Sequence, residues 1–463
     1  MIVQICRILA KLLKKLAIFM LGKSPNQHQG DIFRPLLMSF IDPKHKLIRL
    51  ASSIDWKSIE NEFSVYYSNT GTPSKPIRMM VGLLILKQMY NLSDEALIPS
   101  WIANPYYQFF CGEAYFQWEQ PCDPSDLVHF RNRIGKEGVE KIFSISVNLF
   151  SAEIKKKEVV LVDTTVEEKN ITFPTDVKLQ VKIIDKCIKI AKDEDIKLRQ
   201  TYTQTLKGLK IKMRFSHHPK RQAEGKKARK KIKIIAGRLV RDLERKLELE
   251  TIAKYGYEID LFKKVLSQKR DDKNKIYSLH EPETSCIAKG KAHKPYEFGA
   301  KVGFAMLPGP NIIVGVETFK GNPHDSQTFE PIIVNTKKIT GKSFAKAVVD
   351  RGFRGAKAIE LTQVILPDNN QPAKSTYQKR VKSALCRKRA AIEPIIGHIK
   401  SDCRMAKNFL KGTQGDQINA IMAATAFNFR QYLNKMCQNI IFWLNLLLGN
   451  KQIDLIRNLK PSC

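Results

Sequence analysis

Acidic residues are scarce in this chain. Its 463 residues carry 45 Asp and Glu against 79 Lys and Arg, a formal net charge of +34. Such an excess repels itself unless an acidic partner offsets it, and it points to a polyanion such as DNA or RNA. Cysteine pairs are missing too. The nine cysteines are scattered, odd in number and never in a CxxC spacing, which argues against a zinc ribbon or disulfide framework and for a reducing compartment. Cys111, Cys122 and His129 match no common zinc pattern, so the two thiols read as buried. No apolar run is long enough to cross a membrane; Ile440–Leu448 is too short and reads as a packing or pairing segment. Internal repeats and low-complexity tracts are also absent. What is there is length, enough for two or three domains with sizeable cores.

The first segment, residues 1–30, is apolar but interrupted by Arg7, Lys11, Lys14 and Lys15. It reads as a basic amphipathic extension, with no small-residue cleavage site after it. Residues 31–150 read as an all-α domain. Met79–Met89 is an apolar helix. Ser93 has the chemistry of an N-cap for a second helix that buries Ala96, Leu97 and Trp101 and stops before Pro105. Pro124 suits the start of a third, which carries Arg131 and Arg133. Two readings of this helix set stand side by side: a helix-turn-helix-like DNA reader, or a bundle whose arginines face solvent.

Residues 155–435 read as an α/β domain. Val159–Thr165 is continuous and β-branched, hence a strand buried on both faces. A basic helical insertion at about 176–270 interrupts the domain; residues 201–250 hold 16 Lys and Arg against 5 acids. Its patches Lys226–Lys231 and Arg238–Lys246 suit phosphates, or are simply solvated. Strand patterns return at Lys275–His280, Tyr296–Ala305 and Asn311–Phe319. Asp325 then reads as the N-cap of a helix reaching about Thr336. A strand ends at Asp350, followed by the turn Gly352–Gly355, a helix at Ala356–Gln363 and a strand at Val364–Leu366. Residues 436–463 form a C-terminal tail. The order predicts a mixed sheet with Asp163 and Asp350 at strand ends, where ligands collect in open α/β folds.

The chemistry sits on those two aspartates and on Arg389-Ala-Ala-Ile-Glu393-Pro-Ile-Ile-Gly-His-Ile-Lys400. On a helix, Arg389 and Lys400 share a face with Glu393. Three carboxylates from distant parts of a chain suit two divalent cations, Mg²⁺ or Mn²⁺, with Arg389 and Lys400 neutralising phosphate. Arg351, Arg354, Arg131 and Arg133 are further candidates for DNA phosphates. Two features complicate this picture. Pro394 opposes a regular helix through Glu393, so a kink or a start at Pro394 would move Arg389 off the shared face. Asp325, preceded by His324, competes with Asp350 as second acid, although capping is a sufficient role for it. His398 falls on another face and reads as structural.

Asp163-Thr-Thr, Asp350-Arg-Gly-Phe-Arg-Gly and the Arg389/Glu393/Lys400 spacing together resemble the DDE transposases of bacterial insertion sequences, and within them the insertion-sequence-five family. Phe33-Arg-Pro, Ile54-Asp-Trp56, Leu83–Trp101, Ser278-Leu-His-Glu-Pro282, Lys289–Gly299 and Gly321-Asn-Pro-His-Asp325 extend the resemblance over roughly residues 30 to 435. It implies a ribonuclease-H-like catalytic domain with Asp163, Asp350 and Glu393 as metal-binding triad. It also implies terminal inverted repeats and target DNA as substrates, a cut-and-paste reaction and a homodimer on DNA. The related signature Tyr-x2-Arg-x3-Glu-x6-Lys is matched except at its first position, where this chain has Cys386. Cytoplasmic, nucleoid-associated localisation follows. The alternatives are a catalytically inactive, transposase-derived DNA-binding protein and a nuclease that hydrolyses without strand transfer.

Overall fold

The computed structural model describes residues 34–67, 74–214, 216, 218–269, 271–288, 294–359, 361–367 and 376–448. The amphipathic extension at 1–30, Phe33, Lys289–His293 and the tail beyond residue 448 lie outside them. The chain forms two compact units. One holds the chain through Glu168, Lys301–Phe319 and everything from Pro323 on; the other holds Lys169–Ala300 and Lys320–Asn322.

Six strands occur among the described residues: β1 Val159–Glu168, β2 Ser285–Ala288, β3 Tyr296–Leu307, β4 Ile312–Phe319, β5 Lys346–Val348 and β6 Gln363–Ile365. In the first unit β3 neighbours β1, β1 neighbours β5, and β5 neighbours β6, while β4 pairs with β3. The β1–β5 and β5–β6 pairs are parallel and β3–β4 is antiparallel. Sheet pairing is therefore mixed, as the element order predicts. Val160, Leu161 and Val162 of β1 are fully buried, the burial expected of a β-branched run inside a sheet. Gly303 and Gly315 let the helix Asp325–Thr340 press onto the sheet. A Cβ at Gly303 would come within 2.2 Å of Ile332, and one at Gly315 within 2.1 Å of Thr336.

The helices before the sheet share its hydrophobic core. Ile77–Met89 is buried almost all round, and both it and Pro124–Asn148 pack against the long helix Gly412–Leu448. Ser93 caps Asp94–Ala103 by accepting from the Ala96 N–H. Leu97, Ile98 and Trp101 are the buried side of that helix, whereas Ala96 is exposed. Asp123 and Asp126 form a reciprocal capping box around Pro124. Gly135, at φ +56°, breaks this helix into two segments, a backbone region that costs glycine little.

In the second unit, Asp176–Asp193, Thr203–Arg214, Gln222–Lys246 and Leu249–Ser267 are helical. They bury a separate core that includes Ile183, Ile184, Ile232, Leu243 and Phe262. β2 pairs antiparallel with the first residues of β3, from Ser285↔Gly299 to Ala288↔Tyr296.

Three local expectations fail. Lys275–His280 joins no ladder; Ile276 and Leu279 bury into the helical core instead. Ala356–Gln363 is not a helix: Gly355 stands at φ +94°, and Ile359 bridges Thr362. Asp325 is the first helical residue rather than the cap, because His324 accepts from the Ser326 N–H. Among the described residues no helix is long and apolar enough to cross a membrane.

Candidate active site

Strand register sets two of the acids. Leu161 of β1 pairs in parallel with Val348 of β5. Asp163 and Asp350 each follow their partner by two residues, so they stand at the same level of adjacent strands. Asp350 lies just past the end of β5, as expected, whereas Asp163 is inside β1, which runs on to Glu168 rather than ending there. Each carboxylate is fixed by the backbone. Asp163 accepts from the Thr164 N–H at 2.8 Å, and Asp350 accepts from the Gly352 N–H at 2.9 Å, starting a short 3₁₀ turn.

The third acid and its cation come from a helix junction. Thr376–Arg389 ends at Arg389, and Ile392–Asp402 starts after two residues. Pro394 is the third residue of the new helix, where a missing N–H leaves no hydrogen bond broken. The helix is interrupted, as Pro394 demands, yet Arg389 stays beside Glu393. The termini also favour the charges present. Arg387, Lys388 and Arg389 occupy a helix C-terminus, and Glu393 lies in a first turn.

These elements converge on one guanidinium nitrogen. Arg389 Nη2 lies 3.3 Å from Asp163 Oδ2, 3.7 Å from Asp350 Oδ2 and 3.9 Å from Glu393 Oε1. Exposure is graded across the three side chains, at 13% for Asp163, 34% for Asp350 and 68% for Glu393, so the cluster is open on the Glu393 side. Arg389 Nε is buried without a hydrogen-bond partner. Burial pushes the Asp163 carboxyl up to about 6; Asp350 and Glu393 add to this, while Arg389 and the Thr164 N–H oppose it. A buried carboxylate facing two others with one loosely held cation is short of positive charge.

Asp325 has different company. Its Oδ1 accepts from Lys301 Nζ at 2.6 Å and from Thr164 Oγ1 at 2.8 Å, and Lys301 also donates to the Pro323 carbonyl at 2.7 Å. A Cβ at Gly352 would lie 2.6 Å from Asp325 Oδ2 and 3.1 Å from Asp350 Oδ1. Asp325 therefore lies beside the other two aspartates, while Asp350 shares Arg389 with Asp163. Lys301 was not singled out by sequence reasoning. Its only signal is a lysine at the head of the apolar run Val302–Leu307, where a buried charge needs a partner. His324 bonds locally to Ser326 Oγ at 2.8 Å.

The remaining candidates are dispersed. Lys400 lies in the last turn of Ile392–Asp402, two turns beyond Glu393 along one face. Arg351 and Arg354 are exposed in the turn after Asp350, with Arg351 Nε donating to the Pro367 carbonyl at 3.3 Å. Arg133 is exposed, its guanidinium 4.9 Å from the Tyr67 ring centre. Arg131 is not at the surface. It is buried and grips Asp94 with two 2.8 Å hydrogen bonds, so its guanidinium is already paired and does not face a DNA backbone. His398 is exposed and contacts Asp402 at 3.1 Å. Cys386, three residues before Arg389, is half-buried, and Cys111 and Cys122 are buried thiols.

Among the described residues no three ligand side chains stand close enough to hold a metal in this arrangement. The donor chemistry nevertheless fits a hard divalent ion. The three acids offer oxygen only, and one cation among them leaves the site short of positive charge. Asp163, Asp350 and Glu393 are the residues that would hold it, with Arg389 standing among them as the cation present.

Two family models match the chain: Transposase domain (DUF772) over residues 35–133 and Transposase DDE domain over residues 269–429. The second range contains Asp350, Arg389 and Glu393; Asp163 precedes it. The chain is also similar to the uncharacterized protein ORF8 in the nfe locus of Rhizobium meliloti. The two are 39% identical over 198 residues, which are 42% of this chain and 96% of that protein. No solved structure matches.

Proposed function

We propose, from the premise that this chain belongs to the DDE-type transposases, that it cuts DNA at the terminal inverted repeats of its own element and joins the freed 3′ ends to target DNA. The observation that carries this reading is the convergence of Asp163, Asp350 and Glu393 on one Arg389 nitrogen, at 3.3, 3.7 and 3.9 Å. Divalent ions, Mg²⁺ or Mn²⁺ and two of them in this reading, supply activation of a water or 3′-hydroxyl and charge stabilisation on the leaving oxygen.

The chain's own residues do the rest. Asp163, inside β1, and Asp350, just past the end of the adjacent β5, are held by backbone N–H groups, which pre-orients their oxygens. Glu393, on the open side, completes the ligand set. Arg389 is the counter-charge of the acids, and it has a second use as a fork for the scissile or flanking phosphate. Lys400, Arg351, Arg354 and Arg133 contact the DNA backbone in this reading; Arg131 serves the fold through Asp94.

The strand order β4–β3–β1–β5–β6, with β1, β5 and β6 parallel, supports a ribonuclease-H-like arrangement. The acid and cation spacing supports membership of the insertion-sequence-five family. A homodimer on paired DNA ends, working in the cytoplasm at the nucleoid, belongs to the same reading. An inactive DNA-binding relative is less well supported, because all three acids and Arg389 are present and assembled.

The test is cleavage and joining of a duplex carrying the element's ends with Mg²⁺, Mn²⁺ or EDTA. Metal-dependent nicks and joined products, both lost in Asp163→Asn, are expected. Nicks without joined products would leave a nuclease, and tight binding without any cleavage would leave a DNA-binding relic.

A further inference from the structure

We infer that a cavity in the helical unit, lined by Arg199, Arg238, Arg241 and Arg245, is a binding site for the phosphodiester backbone of DNA. This rests on the reading that DNA is the substrate, and it assigns a site that the carboxylate cluster does not require.

The helical unit has two hollows of about 690 Å³ each, and they differ in charge. One brings together the four arginines, Tyr202 and a single acid, Asp242. The other mixes Lys264, Lys273, Lys275 and Lys320 with Asp260 and Glu283, and there Lys320 is already paired with Glu283 at 2.6 Å. A third hollow, of about 560 Å³, is lined by Lys178, Lys182, Lys210 and Arg214 with no acid. What sets the first apart is residue type, four guanidinium groups around one cavity.

Asp242 does not cancel the charge of these guanidinium groups. Its Oδ2 accepts from the Arg199 backbone N–H at 3.1 Å and its Oδ1 from Lys246 Nζ at 3.2 Å. Its contact with Arg245 is a loose 3.9 Å. The carboxylate ties the Arg199 segment to the helix Gln222–Lys246 and leaves the four guanidinium groups exposed around the hollow. Local sequence explains the convergence. Arg238, Arg241 and Arg245 are three and four residues apart, hence on one helix face, and the Asp242 hydrogen bond brings Arg199 against that face.

The ligand class follows from residue type. Guanidinium groups present planar donor forks that match phosphate oxygens. The neighbouring run Lys226-Lys-Ala-Arg-Lys-Lys231 is mostly lysine, so a merely solvated basic face here had lysine as its local precedent. Several forks around one hollow suit consecutive phosphates of a nucleic acid better than one isolated anion.

The experiment measures binding of a labelled duplex by the full chain, without metal, across a salt series. Wild type is compared with Arg238→Gln/Arg241→Gln and with Lys264→Gln/Lys273→Gln from the other hollow. Circular dichroism checks that each variant is folded. All four positions are exposed and glutamine keeps helix propensity. The arginine variant is expected to flatten the slope of log K against log salt by about 2, at roughly 0.9 for each phosphate that is no longer neutralised. The lysine variant is expected to leave the slope near that of wild type. Equal slopes in the two double variants overturn this assignment while leaving the transposase reading intact. A wild-type chain that does not bind duplex at low salt overturns both. Inorganic phosphate at matched ionic strength should not displace the duplex; displacement that requires the arginines would make the site one for free phosphate and overturn the DNA assignment.

Discussion

Two charge clusters in the first unit have opposite make-up. Around Asp94, one acid is shared by two cations. Lys87 Nζ and both terminal nitrogens of Arg131 lie 2.8 Å away. Burial pushes the Asp94 carboxyl up, but the hydrogen bonds and charges of Arg131 and Lys87 outweigh it and hold the group below its usual range. Around Arg389, one cation is shared by three acids at 3.3 to 3.9 Å, Nε is unpartnered, and Asp163 is pushed up to about 6. A cluster serving stability satisfies its members in place. A cluster serving chemistry leaves them short of a partner that substrate or metal can supply.

The sharpest way to break this comparison is to neutralise one acid in each cluster. Asp163→Asn should reduce cleavage by about 10³-fold or more, since the ligand set loses a charged oxygen and several kcal/mol of charge stabilisation with it. It should leave the metal-free fold intact or stabilise it. The sign follows from the raised carboxyl. Between about pH 4 and 6 the folded chain binds more protons than the unfolded one, so the cost of ionising Asp163 appears as pH rises and is complete above about 6. At neutral pH the asparagine removes up to about 3 kcal/mol of that cost, and below pH 4 the two proteins should melt alike. Asp94→Asn should do the reverse. It leaves two buried cations under-compensated and should destabilise by about 3–5 kcal/mol, read as a lower denaturation midpoint. Equal melting shifts in the two variants would show that the clusters do not differ in kind.

Arg389 sharpens the comparison next. Arg389→Gln removes the cation that stands among the acids, so Mn²⁺ binding followed by paramagnetic resonance should tighten. Cleavage should fall by about 10²-fold, the loss typical of one preorganised donor. Weaker Mn²⁺ binding in this variant would mean that Arg389 organises the ligands rather than competing with a metal. Affinity for Mn²⁺ in the wild type should rise between about pH 5 and 7, as the Asp163 proton is released.

Lys301 predicts a subtler effect. Its 2.6 Å contact with Asp325, and the bond from Thr164 to the same oxygen, brace the residue beside Asp163. Lys301→Met/Asp325→Asn removes both charges together, which avoids an orphaned ion. The cleavage rate should drop by roughly 10-fold to 10²-fold through misplacement of Asp163, with duplex affinity unchanged. A parallel loss of affinity would count against a positioning role.

These residues also show where sequence reading reaches its limit. Asp163 and Asp350 were legible because each closes a short β-branched run that becomes a buried strand, although β1 continues past Asp163 to Glu168. Glu393 and Arg389 were legible from a four-residue offset that survives the helix break at Pro394. The fate of Arg131 was not legible, since its partner Asp94 is 37 residues away on another helix, and nothing local separates a buried arginine from one awaiting phosphate. Lys301 was hidden for the same reason. The helix expected at Ala356–Gln363 followed local propensity, which Gly355 and the Ile359–Thr362 bridge override. Topology was legible as mixed pairing, whereas register, which puts both aspartates at one level, requires the ladder itself.

The most direct test of the central claim is cleavage of a duplex bearing the element's ends by wild type, Asp350→Asn and Asp325→Asn, in Mn²⁺ and in EDTA. Metal-dependent nicking at the ends is expected, abolished in Asp350→Asn and only weakened in Asp325→Asn. Full activity in Asp350→Asn with complete loss in Asp325→Asn would contradict the claim and move the second acid to the helix start.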